Sequence, residues 1–77
     1  MTVRLTDADR LLIERALDAL ALRAETGEVM SFAERRDYQR AVTIVRELPA
    51  DAGRRLRSDF NGRRELQPDL PIVESAS

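Results

Sequence analysis

An all-α fold, a helical hairpin joined by a short third helix, is predicted by three observations. Two long segments carry apolar residues at helical spacing. Each opens on a residue able to cap free backbone amides, and a glycine and a proline close them.

The first helix opens at Thr6, with Asp7 and Asp9 placed at the positive end of its dipole. It is expected to run to about Ala24, because Ile13, Ala16, Leu17, Leu20 and Ala24 follow one buried stripe. Gly27 supplies a left-handed stop. The second helix opens on Ser31-Phe32-Ala33-Glu34, a capping box in which the Ser and Glu side chains each satisfy the other's backbone amide. Tyr38, Ala41, Val42, Val45 and Leu48 form its buried stripe, and Pro49 ends it by disfavouring helical geometry at Leu48. So short a link between the two helices predicts that they run antiparallel.

A third helix is expected over about Ala50 to Phe60, burying Ala52, Leu56 and Phe60 and stopping at Asn61-Gly62. Gly53 weakens it by about 1 kcal/mol relative to Ala. From residue 63 to residue 77 the chain reads as an extended or flexible tail, because Pro68 and Pro71 interrupt Leu66, Leu70, Ile72 and Val73, and Ser75-Ala76-Ser77 is small and polar. The helical domain is thus expected to end at Gly62.

A chain of 77 residues is one domain at most, and at this size folding removes only about 60% of the unfolded surface from water. Extra support is therefore expected. Cys and His are absent, so disulfides and Cys/His zinc sites are excluded as its source. Helix packing, self-association or a partner remain, and the hairpin completes either a three-helix mini-bundle or a dimeric four-helix core. The N-terminus lacks the apolar run of a signal peptide, and no stretch approaches membrane-spanning length. A cytoplasmic setting is expected, with no membrane partner.

The charges nearly cancel, at -1 overall, so a protein that coats nucleic acid non-specifically is not expected. Every positive charge is an Arg. Guanidinium groups suit carboxylates and phosphates, although GC-rich coding also produces this bias.

Three surfaces are candidates for recognition. The apolar arc of the first helix spans about 200° in helical projection, more than one neighbour covers, and Leu11 and Leu22 fall outside it beside Arg15 and Asp18. Residues 53–65 carry five Arg (Arg54, Arg55, Arg57, Arg63 and Arg64) against Asp59 and Glu65, a local +3 in a chain whose remainder is -4. The polar face of the second helix gathers Arg35, Arg36, Gln39 and Arg40, residue types that read bases and phosphates. Each also has a structural reading: stray surface leucines, cations at a helix end, and a rim of weak ion pairs.

Catalysis has little to work with, because the usual general bases and covalent nucleophiles His, Cys and Lys are missing. Glu14 with Asp18 and Glu34 with Asp37 form no metal-binding constellation, and the three glycines are isolated, so no metal or cofactor is expected.

The leading expectation is a non-catalytic adaptor or inhibitor that docks on another protein with an acidic surface through Leu11, Leu22, Arg54, Arg55, Arg57, Arg63 and Arg64. A homodimer is a further possibility. The alternative is a DNA-binding regulator that reads the major groove with Arg35, Arg36, Gln39 and Arg40. Length, charge segregation and the lack of catalytic groups resemble in a general way the small accessory proteins of phages and mobile elements, with no motif singling out a family.

Overall fold

The computed structural model describes residues 5–73, so the N-terminal segment before Leu5 and the polar end Ser75-Ala76-Ser77 lie outside the described residues. Three helices follow in order: α1 (Asp7–Thr26), α2 (Phe32–Glu47) and α3 (Ala50–Arg63). No strand occurs among the described residues, and no helix among them is long and apolar enough to cross a membrane.

The start and stop signals act as their chemistry requires. The Asp9 amide donates to Thr6 Oγ1 at 3.1 Å while the Thr6 amide donates to Asp9 Oδ2 at 3.3 Å. Ser31 and Glu34 repeat this exchange at α2, at 3.2 and 2.8 Å. Gly27 takes φ 76° and donates to Arg23 O at 2.8 Å, ending α1 at Thr26, two residues beyond the apolar stripe. Leu48 is extended, at ψ 149°, as the residue before Pro49 must be.

The core joins Ile13, Ala16 and Leu20 of α1, Tyr38, Ala41, Val42 and Val45 of α2, and Phe60 of α3. Tyr38 and Phe60 meet edge to face at a centroid separation of 5.5 Å, a pairing that adds about 1 kcal/mol beyond burial. Leu12, Leu17, Ala19 and Leu56 pack partly buried around it. The wide arc of α1 is therefore shared among several neighbours, and Ala24 at its end is exposed.

The third helix departs from expectation. Its buried face is Gly53, Arg57 and Phe60, whereas Ala52 is exposed and Leu56 half-buried. Hydrophobicity alone places Ala52 inward; the packing instead turns a glycine and an arginine inward, because Arg57 reaches Val45 O of α2. Asn61-Gly62 does not stop the helix, which continues to Arg63. Gly62 never enters the left-handed region, and the Asn61 amide is used elsewhere.

Residues 64–73, after α3, are not a free tail. The Gln67 amide donates to Arg64 O at 2.9 Å and the Leu70 amide to Gln67 O at 3.0 Å, giving two consecutive turns, with Pro68 at the position of the second turn that favours it. This places Gln67, Leu70 and Val73, every third residue, inward, at 2%, 3% and 0% exposure. Leu70 and Val73 complete the core cluster. These residues, 64–73, form a lid fastened by polar side chains. Tyr38 Oη donates to Pro71 O at 2.6 Å, and Arg46 to Ile72 O at 3.2 Å. Arg64 donates to Leu70 O and Pro68 O, while Asn61 both donates to Val73 O and accepts from the Val73 amide. Gln67 links the segment to the α1–α2 loop through Glu28 O at 3.2 Å. Burial pushes the Tyr38 phenol up from its ordinary pKa against the opposing pull of Arg64 and Arg46, so it stays a proton donor to Pro71.

Candidate functional site

The arginines fall into two groups once their partners are known. Arg57 is buried at 5% exposure, and its guanidinium donates to Val45 O at 3.3 Å and to Ala50 O at 2.6 Å, with Nε left without a partner. It faces the carbonyl end of α2, where the helix dipole favours a cation. A Cβ on Gly53 would lie 2.9 Å from Arg57 Cζ, so this glycine is the seat of the guanidinium. The expectation that Arg57 addresses a partner is corrected: the side chain is buried, and its guanidinium joins α3 to α2 at Val45 O and turns back to Ala50 O of its own helix. Arg64, half-buried on the carbonyls of Leu70 and Pro68, is likewise engaged.

Arg54, Arg55 and Arg63 remain at the surface, Arg54 within 3.8 Å of Asp51 and Arg63 within 4.0 Å of Asp59. Such exposed pairs contribute little. On α2, Arg35 is engaged by Asp69 and Gln67, whereas Arg36, Gln39 and Arg40 are exposed. Asp69 draws the Arg35 pKa up and is itself held below the usual carboxylate range, first by the Arg35 hydrogen bond. The reading set of the second helix is thus reduced by one.

Leu11 and Leu22 are 54% and 48% exposed, and both line hollows where α1 meets α2. One hollow is formed by Ala8, Leu11, Leu12 and Arg15 of α1 with Arg40, Thr43 and Ile44 of α2. The other is formed by Arg15, Asp18, Ala19 and Leu22 of α1 with Ala33, Glu34 and Asp37 of α2. Arg15 borders both, so they are two halves of one face. Along that face Ala8, Leu11, Arg15, Asp18 and Leu22 are spaced alternately by three and four residues, as are Ala33, Asp37, Arg40 and Ile44. This is the spacing that meets a further helix in a coiled-coil seam. The surface arginines of α3 border neither hollow. The structure therefore unites the two leucines and separates them from the Arg-rich stretch.

Sequence reasoning missed Ala33, Asp37 and Ile44 as members of this face. The three-and-four spacing was the available signal, obscured because Tyr38, Val42 and Val45 carry the stronger apolar stripe of α2. It also missed two strongly exposed apolar side chains beside the α2 start, Val29 at 69% and Phe32 at 80%. Neither follows the periodicity of a helical stripe.

The electrostatics of the face differ from end to end. In the first hollow Arg15 and Arg40 outnumber Asp9; in the second Asp18, Glu34 and Asp37 outnumber Arg15. Glu34 also accepts from Arg23 at 3.0 Å, bracing the end of α1 against the start of α2. The Ser31 amide, followed by Arg23, holds the Glu34 carboxyl below its ordinary pKa, outweighing desolvation. A lowered folded-state pKa stabilises the fold above the unfolded value, and that stabilisation is lost as pH falls through the folded one. Thermal stability is therefore expected to drop as acidity passes from the ordinary glutamate range, near about pH 4.3, to lower values. Glu34→Gln should lower the melting temperature at neutral pH and flatten this acid limb. An unchanged pH profile would show that Glu34 contributes nothing.

Among the described residues, no group of three or more acidic, His or Cys side chains is arranged to hold a metal ion. No protein-family model, no curated protein and no solved structure matches this chain.

Proposed function

We propose that this chain is a non-catalytic, cytoplasmic protein-binding module, an adaptor or inhibitor, whose docking surface is the α1/α2 face. The observation that carries the reading is that Leu11 and Leu22 lie on one continuous face bordered by charges of both signs. Two half-exposed leucines supply apolar contact, and Arg15, Arg40, Asp18 and Asp37 set which way a partner lies. The antiparallel hairpin of α1 and α2 presents two parallel ridges, between which a helix of the partner seats. Arg54, Arg55 and Arg63 form a separate basic surface on α3 that reaches an acidic partner only if the partner extends around the bundle.

The test is differential capture with three baits. Wild type and an Arg54→Glu/Arg55→Glu variant should retain the same bound protein, and a Leu11→Glu/Leu22→Glu variant should lose it while keeping its melting temperature within a few degrees. Retention by the leucine variant and loss by the arginine variant would move the docking site to α3. A DNA-binding role for Arg36, Gln39 and Arg40, without Arg35, predicts instead a mobility shift that weakens steeply with salt. Recovery of nucleic acid with that salt slope would displace the protein-binding reading.

A further inference from the structure

We propose that the partner seated on the α1/α2 face is a second copy of this chain, reversed end for end about a two-fold axis. This inference rests on the docking reading above and names its occupant. An isologous dimer requires a self-complementary patch, in which each feature meets its counterpart after rotation. The face meets that requirement because its two halves are opposite in charge. With the axis in the plane of the face and across the helices, between Arg15 and Asp18 on α1 and between Asp37 and Arg40 on α2, the half holding Arg15 and Arg40 on one copy lies over the half holding Asp18 and Asp37 on the other. Both contacts form twice. The apolar residues follow the same exchange: Leu22 of each copy enters the hollow between Leu11 and Ile44 of its mate.

An axis running along the helices would instead set Arg15 and Arg40 against the same pair on the other copy, which like-charge repulsion opposes. The reversed arrangement is thus the one that the charge pattern selects.

The size of the face is sufficient. α1 has 20 residues, about 30 Å at the usual helical rise, and two helices lie about 20 Å wide at ordinary packing distances. The face therefore offers on the order of 600 Å² per copy, at the lower end of specific interfaces. Such an interface predicts a dimer that dissociates on dilution and that unites the two hairpins in a four-helix core.

Sedimentation equilibrium of the full chain, from micromolar to millimolar concentration, tests this. The mass should rise from one chain to two. Arg15→Glu/Arg40→Glu makes both halves acidic and Asp18→Arg/Asp37→Arg makes both basic, so each variant alone should dissociate at least tenfold more readily, and an equimolar mixture should restore a dimer containing one of each. Circular dichroism checks that both variants remain helical; should either unfold, Leu22→Glu serves as the dissociating variant, and a dimer that Leu22→Glu leaves intact overturns the proposal. A wild-type chain that stays single at millimolar concentration overturns the second copy as occupant; the docking reading then stands or falls separately on whether Leu11→Glu/Leu22→Glu loses the captured protein. A dimer indifferent to all these substitutions places self-association on another surface and also overturns the proposal.

Discussion

A chain ending at Glu65 should lose its cooperative thermal transition. Leu70 and Val73, at 3% and 0% exposure, would be removed from the cluster that contains Tyr38 and Phe60. Burial of two such side chains contributes about 3–6 kcal/mol, comparable with the whole stability of a small domain, about 5 kcal/mol at the low end. The truncation also strips the carbonyl acceptors from Tyr38, Asn61, Arg46 and Arg64. Urea titration followed by circular dichroism should find a shallow, non-cooperative loss of helix. Val73→Asp should produce most of the same effect at full length. A truncated chain melting within a few degrees of wild type would mean that the lid is not part of the core.

The second large effect concerns Gly53 and Arg57. Replacing Arg57 with Ala should destabilise the fold by about 2–3 kcal/mol, because a charged donor to two carbonyls is lost and a well-packed site is emptied. Gly53→Ala should destabilise the wild-type chain by about 1 kcal/mol or more despite its better helix propensity, since the new methyl group occupies the place of the guanidinium. In the Arg57→Ala background the sign should reverse, and Gly53→Ala should stabilise by up to about 1 kcal/mol. A double-mutant cycle measured by urea unfolding tests this directly. Additive effects would show that the two positions do not share the space.

The sequence made most of α1 and α2 legible because their ends are decided locally. Thr6, Gly27, Ser31, Glu34 and Pro49 each act on backbone groups within four residues, so their role is independent of the remaining chain. The inward side of α3 was not legible, because it is decided by tertiary chemistry: Arg57 turns inward to reach Val45 O on another helix, and Gly53 is needed only once that guanidinium is there. The lid was misread for a related reason. Two prolines mark it as non-helical, yet its hydrogen bonds go to side chains of α2 and α3, which local pattern does not reveal. A three-residue spacing of Gln67, Leu70 and Val73 was present but is the period of neither an α-helix nor a strand; it belongs to consecutive tight turns.

The recognition surfaces divide similarly. Leu11 and Leu22 were identified from helical projection because both lie on one regular helix, and the fold brings them onto a single face. The arginines of residues 53–65 formed one cluster in sequence and do not form one in space: Arg57 and Arg64 are spent on main-chain carbonyls, and Arg54, Arg55 and Arg63 stay outside. Local charge counts accessible and engaged cations alike. Without knowing which carbonyls need donors, the two kinds are indistinguishable.

The proposed recognition surface is the α1/α2 face. It is tested most directly by placing a photo-crosslinking residue at position 11, 22, 40 or 54, one at a time, and comparing adducts formed in the cell that makes the protein. Discrete protein adducts are expected from positions 11, 22 and 40 and none from position 54. Adducts confined to position 54, or equal from all four, would contradict it.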